Sequence, residues 1–136
     1  MSTTTQTPVV KATAKSVRIS PRKVGEVVAL VRGCTVDDAL VILDHTPRRA
    51  AQEVAKAIKS AAANATNNHG YKEDGLYIEE IFVTAGMRIK RYRPAAHGRA
   101  LPYQKKTSHI HVRVSGTIKP AKKPAAKKTT KKEEDK

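Results

Sequence analysis

The chain has 136 residues and a formal net charge of +15, from 27 Lys and Arg against 12 Asp and Glu. This length accommodates one domain, and because Trp is absent and Phe82 is the only Phe, the core must be mainly aliphatic. No apolar run could span a membrane, no signal peptide opens the chain, and the single Cys34 cannot form an internal disulfide, so we expect a cytoplasmic protein.

The positive charge is concentrated in the second half of the sequence. Residues 1–80 carry eleven Lys and Arg against nine Asp and Glu, whereas residues 81–132 carry fifteen Lys and Arg and no acidic residue. Such an asymmetry indicates a nucleic acid or another anionic surface as the partner. A membrane surface would also require an apolar face beside the charge, and the basic stretch has none.

A flexible lead is expected over residues 1–8, followed by a single domain over residues 9–118. The domain opens with a strand over Val9–Ile19, in which apolar and polar residues partly alternate. The alternation changes phase near Lys15 and Ser16, which predicts a β-bulge.

Three helices are predicted next, each after a residue that favours a helix N-terminus. The first begins at the Ser-Pro pair 20–21 and ends at Gly33, with Val residues at helical spacing between them. The second begins at a capping box that starts with Thr35. The third and longest begins at Thr46, which precedes a Pro, and extends to about Asn67.

A long hairpin and a tail complete the predicted organisation. Residues 76–85 are rich in β-formers and predict the strand that leads into a hairpin over about residues 86–114. In segment 94–98, Pro fixes φ and Gly permits a positive φ, so the chain should reverse there. The Lys-, Ala- and Pro-rich residues 119–136 predict a disordered tail. The fold class is therefore α+β, with three helices packed on a small antiparallel sheet and one long protruding β-hairpin.

The hairpin is a basic arm without internal charge compensation. No Asp or Glu lies between Glu80 and Glu133, and between Arg88 and Lys106 apolar residues are too sparse for a buried face. An isolated two-stranded hairpin is marginally stable in water, and this one also repels itself. At ~3.3 Å per residue, two arms of about ten residues each could project roughly 30 Å. We therefore expect a polyanion to surround the arm.

Two groups of residues in and beside this arm fit alternative interpretations equally well. Tyr92 and Tyr103 could stack on unpaired bases or pack on each other across the hairpin. Arg49, Lys56 and Lys59 lie near one another on a face of the long helix, which is either solvated or a secondary RNA contact.

No catalytic or metal site is predicted. His109 and His111 share a strand face, a spacing that can bind metal, but no carboxylate is nearby and Cys34 lies in another element. The chain also lacks a Gly-rich phosphate loop, a nucleophile elbow and paired carboxylates. We therefore expect no metal, no cofactor and no enzymatic activity.

The hairpin sequence carries a family resemblance. Lys90–Ala100 reads KRYRPAAHGRA and Lys105–Val112 reads KKTSHIHV. These runs resemble the signature of the family of protein twenty-two of the large ribosomal subunit, in its bacterial form. The match extends upstream through residues 16–18, 22–24, 30–33 and 61–65, so it covers about residues 11–115. It departs at Ala95, where members of the family usually carry Arg, and we expect Arg93 or His97 to compensate for any contact of that Arg.

The resemblance implies a structural constituent of the large ribosomal subunit that binds 23S ribosomal RNA and helps assembly. It further implies that the hairpin tip lines the peptide exit tunnel beside nascent polypeptide, and that other large-subunit proteins are neighbours. We expect no membrane, no DNA and no homo-oligomer. The expected RNA-binding residues are Lys11, Lys15, Arg18, Arg22, Lys23, Arg49, Arg88, Lys90, Arg91, Arg93, Arg99, Lys105, Lys106, Thr107, Ser108 and His109. The expected tunnel-lining tip comprises Ile89, Lys90, Arg91, Tyr92, Arg93, Pro94, Ala95, Ala96, His97 and Gly98.

The alternative function is an architectural DNA-binding protein whose Pro-tipped β-arm enters the minor groove. A Lys-, Ala- and Pro-rich tail suits this function equally well. The signature residues favour ribosomal RNA, and three amphipathic helices that lead into a single arm show no dimer seam.

Overall fold

A computed structural model of the chain describes residues 9–116. The predicted flexible lead over residues 1–8 and the predicted tail over residues 119–136 lie outside the described residues. Within the described part of the chain, no helix is long and apolar enough to cross a membrane.

The fold is α+β, as predicted, with three helices and a three-stranded antiparallel sheet. The strands are β1 (Val10–Val17), β2 (Tyr77–Pro94) and β3 (Ala100–Ser115). The helices are α1 (Pro21–Leu30), α2 (Val36–Asp44) and α3 (Arg49–His69), and a short 3-10 turn over Ala96–Gly98 joins β2 to β3.

The sheet has the order β1-β3-β2, so the last strand lies in the middle. Ile110, Val112 and Val114 of β3 are fully buried and form the floor of the hydrophobic core. Their neighbours on β1 and β2 and the apolar faces of all three helices complete that core. The opposite face of the sheet is not covered by any of the three helices, and polar residues alternate with the buried ones along β3.

Two of the three predicted helix starts are confirmed. Pro21 is the first residue of α1, and the Thr35 hydroxyl accepts a hydrogen bond from the Asp38 backbone N–H at 3.2 Å. The predicted start of the long helix at Thr46 is wrong, because α3 begins at Arg49. The Thr46 hydroxyl donates to the Ile42 carbonyl at 2.7 Å, so this residue completes the end of α2 instead.

The predicted bulge in β1 is confirmed. The register between β1 and β3 shifts between Ala14 and Val17, and Ser16 has a φ of 58°. Strand β2 contains two further irregularities that the sequence did not predict, between Ile78 and Glu80 and between Ala85 and Arg88.

The predicted chain reversal is also confirmed, and it uses two consecutive residues with positive φ. His97 has a φ of 59° and Gly98 a φ of 68°, as in the turns that match the twist of a hairpin. The Ala95 N–H donates to the Arg99 carbonyl at 2.7 Å and closes the loop. Strand pairing continues up to Pro94 and Ala100.

Gly86 lies where the hairpin leaves the core, and no larger residue fits there. A Cβ atom on Gly86 would lie 2.5 Å from the Thr107 Oγ1 and 3.2 Å from the Thr107 carbonyl carbon. That hydroxyl donates to the Met87 carbonyl at 2.8 Å, so it cannot move aside without losing a bond. The close approach of the two strands at the hairpin base therefore depends on glycine.

We expect Gly86→Ala to lower the free energy of unfolding by about 1–3 kcal/mol, the usual cost of overpacking. Gly25→Ala is the matched control, because Gly25 lies in α1 with nothing within 4 Å of its added methyl group. Removing a helical glycine should stabilise the protein by about 0.5–1 kcal/mol. Urea denaturation measures both changes, and an unchanged midpoint for Gly86→Ala would contradict the proposed contact.

Candidate nucleic-acid interface

Beyond the last irregularity in β2, the hairpin is a regular two-stranded ribbon. Seven consecutive pairs run from Arg88 opposite Lys106 to Pro94 opposite Ala100, which corresponds to roughly 20 Å of ribbon. The register assigns side chains to two faces. One face carries Ile89, Arg91, Arg93, Leu101, Tyr103 and Lys105, and the other carries Arg88, Lys90, Tyr92, Gln104 and Lys106.

Both faces present cations to solvent. Every Lys and Arg of the ribbon and its turn is exposed, and none forms an ion pair with a carboxylate among residues 9–116. Because no acidic residue offsets these cations, the electrostatic potential at the surface of the ribbon is positive. A positive surface attracts polyanions. Its main-chain pairing holds the cations at fixed spacing, which suits a regular row of phosphates.

The two tyrosines of the ribbon do not pack on each other. Tyr92 pairs with Pro102, and its side chain lies on the face opposite to Tyr103. The Arg93 guanidinium lies over the Tyr103 ring, 5.0 Å from its centroid, as in a cation–π contact. Tyr92 is 75% exposed, so its ring is available for stacking on a base.

A groove of about 840 Å³ lies where the ribbon meets the helices. One wall is formed by the segment that follows β1, the start of α1 and the start of α3, and the other by the base of the hairpin. Five basic residues predicted to bind RNA line it together: Arg18, Lys23, Arg49, Lys105 and Lys106. The fold therefore joins cations that are up to 88 residues apart in the sequence.

Glu26 and Arg48 also line this groove, and sequence reasoning missed both. Their side chains form an ion pair, with 52% and 56% of their surfaces exposed. Among the described residues that line the groove, Glu26 is the only acidic one. No local pattern could have revealed the pair, because its members lie 22 residues apart on different elements.

Four other basic residues predicted to bind RNA lie in two further places. Arg22 and Arg88 line a smaller hollow of about 210 Å³, which shares Lys106 with the groove. Lys11 and Lys15 lie on β1, where Lys11 pairs with Arg113 on the uncovered face of the sheet. The hollow thus extends the basic groove along the hairpin base, whereas the two lysines lie on another strand.

Three polar residues predicted to bind RNA are buried or form hydrogen bonds within the protein. The Ser108 side chain is fully buried, so it is not on the surface that RNA can reach in this fold. Thr107 is buried, and its hydroxyl donates to the Met87 carbonyl. His109 Nδ1 accepts the Ser16 backbone N–H at 2.9 Å, which holds the β1 bulge against β3.

Side chains on the uncovered face of the sheet contact one another. The His111 ring stacks on Phe82 with centroids 4.7 Å apart, and its two nitrogens lie 3.3 and 3.1 Å from the hydroxyls of Thr13 and Thr84. The imidazole of His111 therefore makes its contacts with other side chains of the sheet. No group of three or more His, Cys, Asp and Glu that could hold a metal ion is found among residues 9–116.

Lys56 and Lys59 are exposed on α3, away from the hairpin. Both line a second hollow of about 870 Å³ between α2 and α3, together with Arg49. Lys56 forms an ion pair with Glu53 at 3.4 Å, one turn away on the same helix. Their surroundings resemble an ordinary solvated helix face more than the uncompensated surface of the groove.

The sequence model of the family described as ribosomal protein L22p/L17e matches residues 12–115. Among similar curated proteins, the large ribosomal subunit protein uL22 of Clostridioides difficile (strain 630) is 55% identical over 102 residues, which cover 75% of this chain and 92% of that protein. The uL22 proteins of Oceanobacillus iheyensis and Pelotomaculum thermopropionicum are 53% and 52% identical over 105 residues, or 77% of this chain and 93% of each relative. The chain therefore belongs to the ribosomal protein L22p/L17e family.

Proposed function

We propose that this chain binds 23S ribosomal RNA through its hairpin and the adjacent groove, helps the large subunit to assemble, and lines the nascent-peptide exit tunnel with the hairpin tip. Membership of the family makes the chain a structural protein of the large ribosomal subunit, which is located in the cytoplasm, and not an enzyme. RNA binding and tunnel lining go beyond that membership and are supported by the residues of the hairpin and the groove.

The observation that carries the proposal is the exposed, uncompensated charge of the hairpin. A ribbon of seven pairs with solvent on both faces buries little apolar surface, and its cations have no carboxylate partners among the described residues. Phosphates on both sides would remove the repulsion and bind the guanidinium groups in bidentate fashion. RNA that encloses the ribbon supplies this arrangement.

The tip, residues 89–98, has properties that suit a tunnel wall. Its end is narrow, because the reversal is made by His97 and Gly98 without bulky apolar residues. Ala96 and His97 are exposed at the outermost point of the ribbon. A narrow end with small and polar side chains can border a channel without exposing an apolar patch that would bind a passing peptide.

The alternative, a DNA-binding arm, is less well supported by this geometry. A minor-groove arm needs cations mainly along the inserted ribbon. Here the cationic surface continues from the ribbon into a groove that contains residues of α1, α3 and the segment between β1 and α1. A surface that turns around the hairpin base fits a folded RNA better than a straight duplex.

We expect the full-length protein to sediment with the large subunit in a sucrose gradient of cell lysate, in stoichiometric amounts after a salt wash and irrespective of DNase treatment. Mass spectrometry of the fractions gives the stoichiometry. Release of the protein by DNase from fast-sedimenting nucleoid would overturn the proposal in favour of the DNA-binding alternative.

Arg91→Ala should weaken binding to deproteinised 23S ribosomal RNA and make it less dependent on salt. Each phosphate contact contributes roughly 0.7–0.9 to the slope of log K against log salt, so one lost contact should reduce the slope by about that amount. Filter binding at several KCl concentrations measures it. Lys72→Ala, in the loop before β2, is the matched control, and an equal loss in both variants would remove Arg91 from the phosphate contacts.

A photoreactive side chain at Ala96 should crosslink to nascent polypeptide in stalled ribosomes, because the tip is proposed to border the tunnel. The same group at Ala63, an exposed position on α3, should give no such product. Gel electrophoresis with a radiolabelled nascent chain detects the adduct. Absence of the adduct at position 96 in fully assembled ribosomes would contradict tunnel lining without affecting RNA binding.

A further inference from the structure

The groove at the hairpin base has the features of a site for several linked phosphates. Six basic residues line it, and the five other than Arg48 come from the segment after β1 and from α1, α3 and β3. These five form no ion pair among residues 9–116. A single small anion could not compensate charges on both walls of a groove of about 840 Å³. A polyphosphate backbone such as that of RNA supplies several anionic groups at once and releases counterions as it binds.

The start of α1 adds to the positive potential of this groove. Ser20 lines it and occupies the N-cap position, yet its side chain makes no capping hydrogen bond. The first turn of α1 also contains no acidic residue. The N-terminal partial charge of the helix is therefore not compensated from within the helix, and it acts in the same direction as the cations.

The Glu26–Arg48 ion pair is the exception in this surface. The pair is about half exposed, so its members gain little from each other in water. A guanidinium makes stronger, bidentate bonds to phosphate. Glu26 nevertheless holds Arg48 at the groove and presents a negative charge to any approaching phosphate.

We propose that this groove binds consecutive phosphates of an RNA backbone and that Glu26 limits the affinity, both by repulsion and by keeping Arg48 from the phosphates. The inference rests on the proposed RNA-binding function and assigns to it a second surface beside the ribbon. Arg48 is then a latent phosphate ligand, and the ion pair sets how tightly the hairpin base binds RNA.

The test uses Glu26→Gln, which keeps the size of the side chain and removes its charge. We expect binding to deproteinised 23S ribosomal RNA to become roughly threefold to tenfold tighter at ~0.1 M KCl, with a slope against log salt steeper by about 0.7–0.9. Glu80→Gln is the matched control. Glu80 also pairs with an arginine, Arg113, but on the uncovered sheet face away from the groove.

The double variant E26Q/R48Q separates the two effects of Glu26. If Arg48 becomes a phosphate ligand, the steeper slope should disappear in the double variant. Thermal unfolding by circular dichroism verifies that all variants are folded.

An equal gain for Glu80→Gln would mean that net charge alone matters, and it would overturn the inference. A steeper slope against log salt that persists in E26Q/R48Q would overturn the role of Arg48. A loss for Arg91→Ala without any change for Glu26→Gln would refute the groove and leave the proposed function intact, whereas absence of binding by the natural chain would refute both.

Discussion

The structure depends on the pairing of one strand, β3, with both of its neighbours. The C-terminal half of β3 pairs with β1 and β2 and buries Ile110, Val112 and Val114, whereas its N-terminal half pairs with β2 alone and lies in solvent. Because the strand is continuous, the buried half fixes the register of the exposed half. A ribbon that would be marginal as an isolated hairpin thus becomes the extension of a folded sheet. Presentation of the basic surface is therefore coupled to the stability of the core.

The charged surface and the core that stabilises the protein are formed by different parts of this fold. The three ion pairs found among residues 9–116 involve Glu26, Glu53 and Glu80, and none of them reaches the ribbon. The core is stabilised by aliphatic burial, so it does not need compensated charge at its surface. The ribbon, by contrast, keeps its repulsion until phosphates approach. Since exposed charges are screened over about 10 Å at 0.1 M salt, that repulsion acts mainly between neighbouring residues of the ribbon and groove. The proposed binding to RNA would remove this repulsion where it is largest.

Features that depend on local chemistry could be predicted from the sequence, and those that depend on tertiary contacts could not. Helical spacing of Val residues gave α1, and Gly98 gave the reversal, because backbone preferences decide both. The predicted helix start at Thr46 was wrong, because the hydroxyl that could cap a new helix instead bonds to the end of the preceding one. The charged groove required knowledge of which distant cations meet, as did the partner of Arg48 and the burial of Ser108. The sequence thus identified a basic surface but not its shape.

The alanine at position 95 illustrates the same division between backbone and side chain. The family resemblance leads to an expectation of Arg there, yet the loop is closed by the Ala95 N–H and the Arg99 carbonyl, which any non-proline residue could provide. The positive φ angles that reverse the chain belong to His97 and Gly98. The shape of the tip is therefore independent of the side chain at position 95. What the alanine changes is the charge and width of the end of the ribbon, and neighbouring Arg93 is partly engaged by Tyr103. The tip consequently has a narrower, less cationic end than the ribbon behind it, which suits the proposed lining of the exit tunnel.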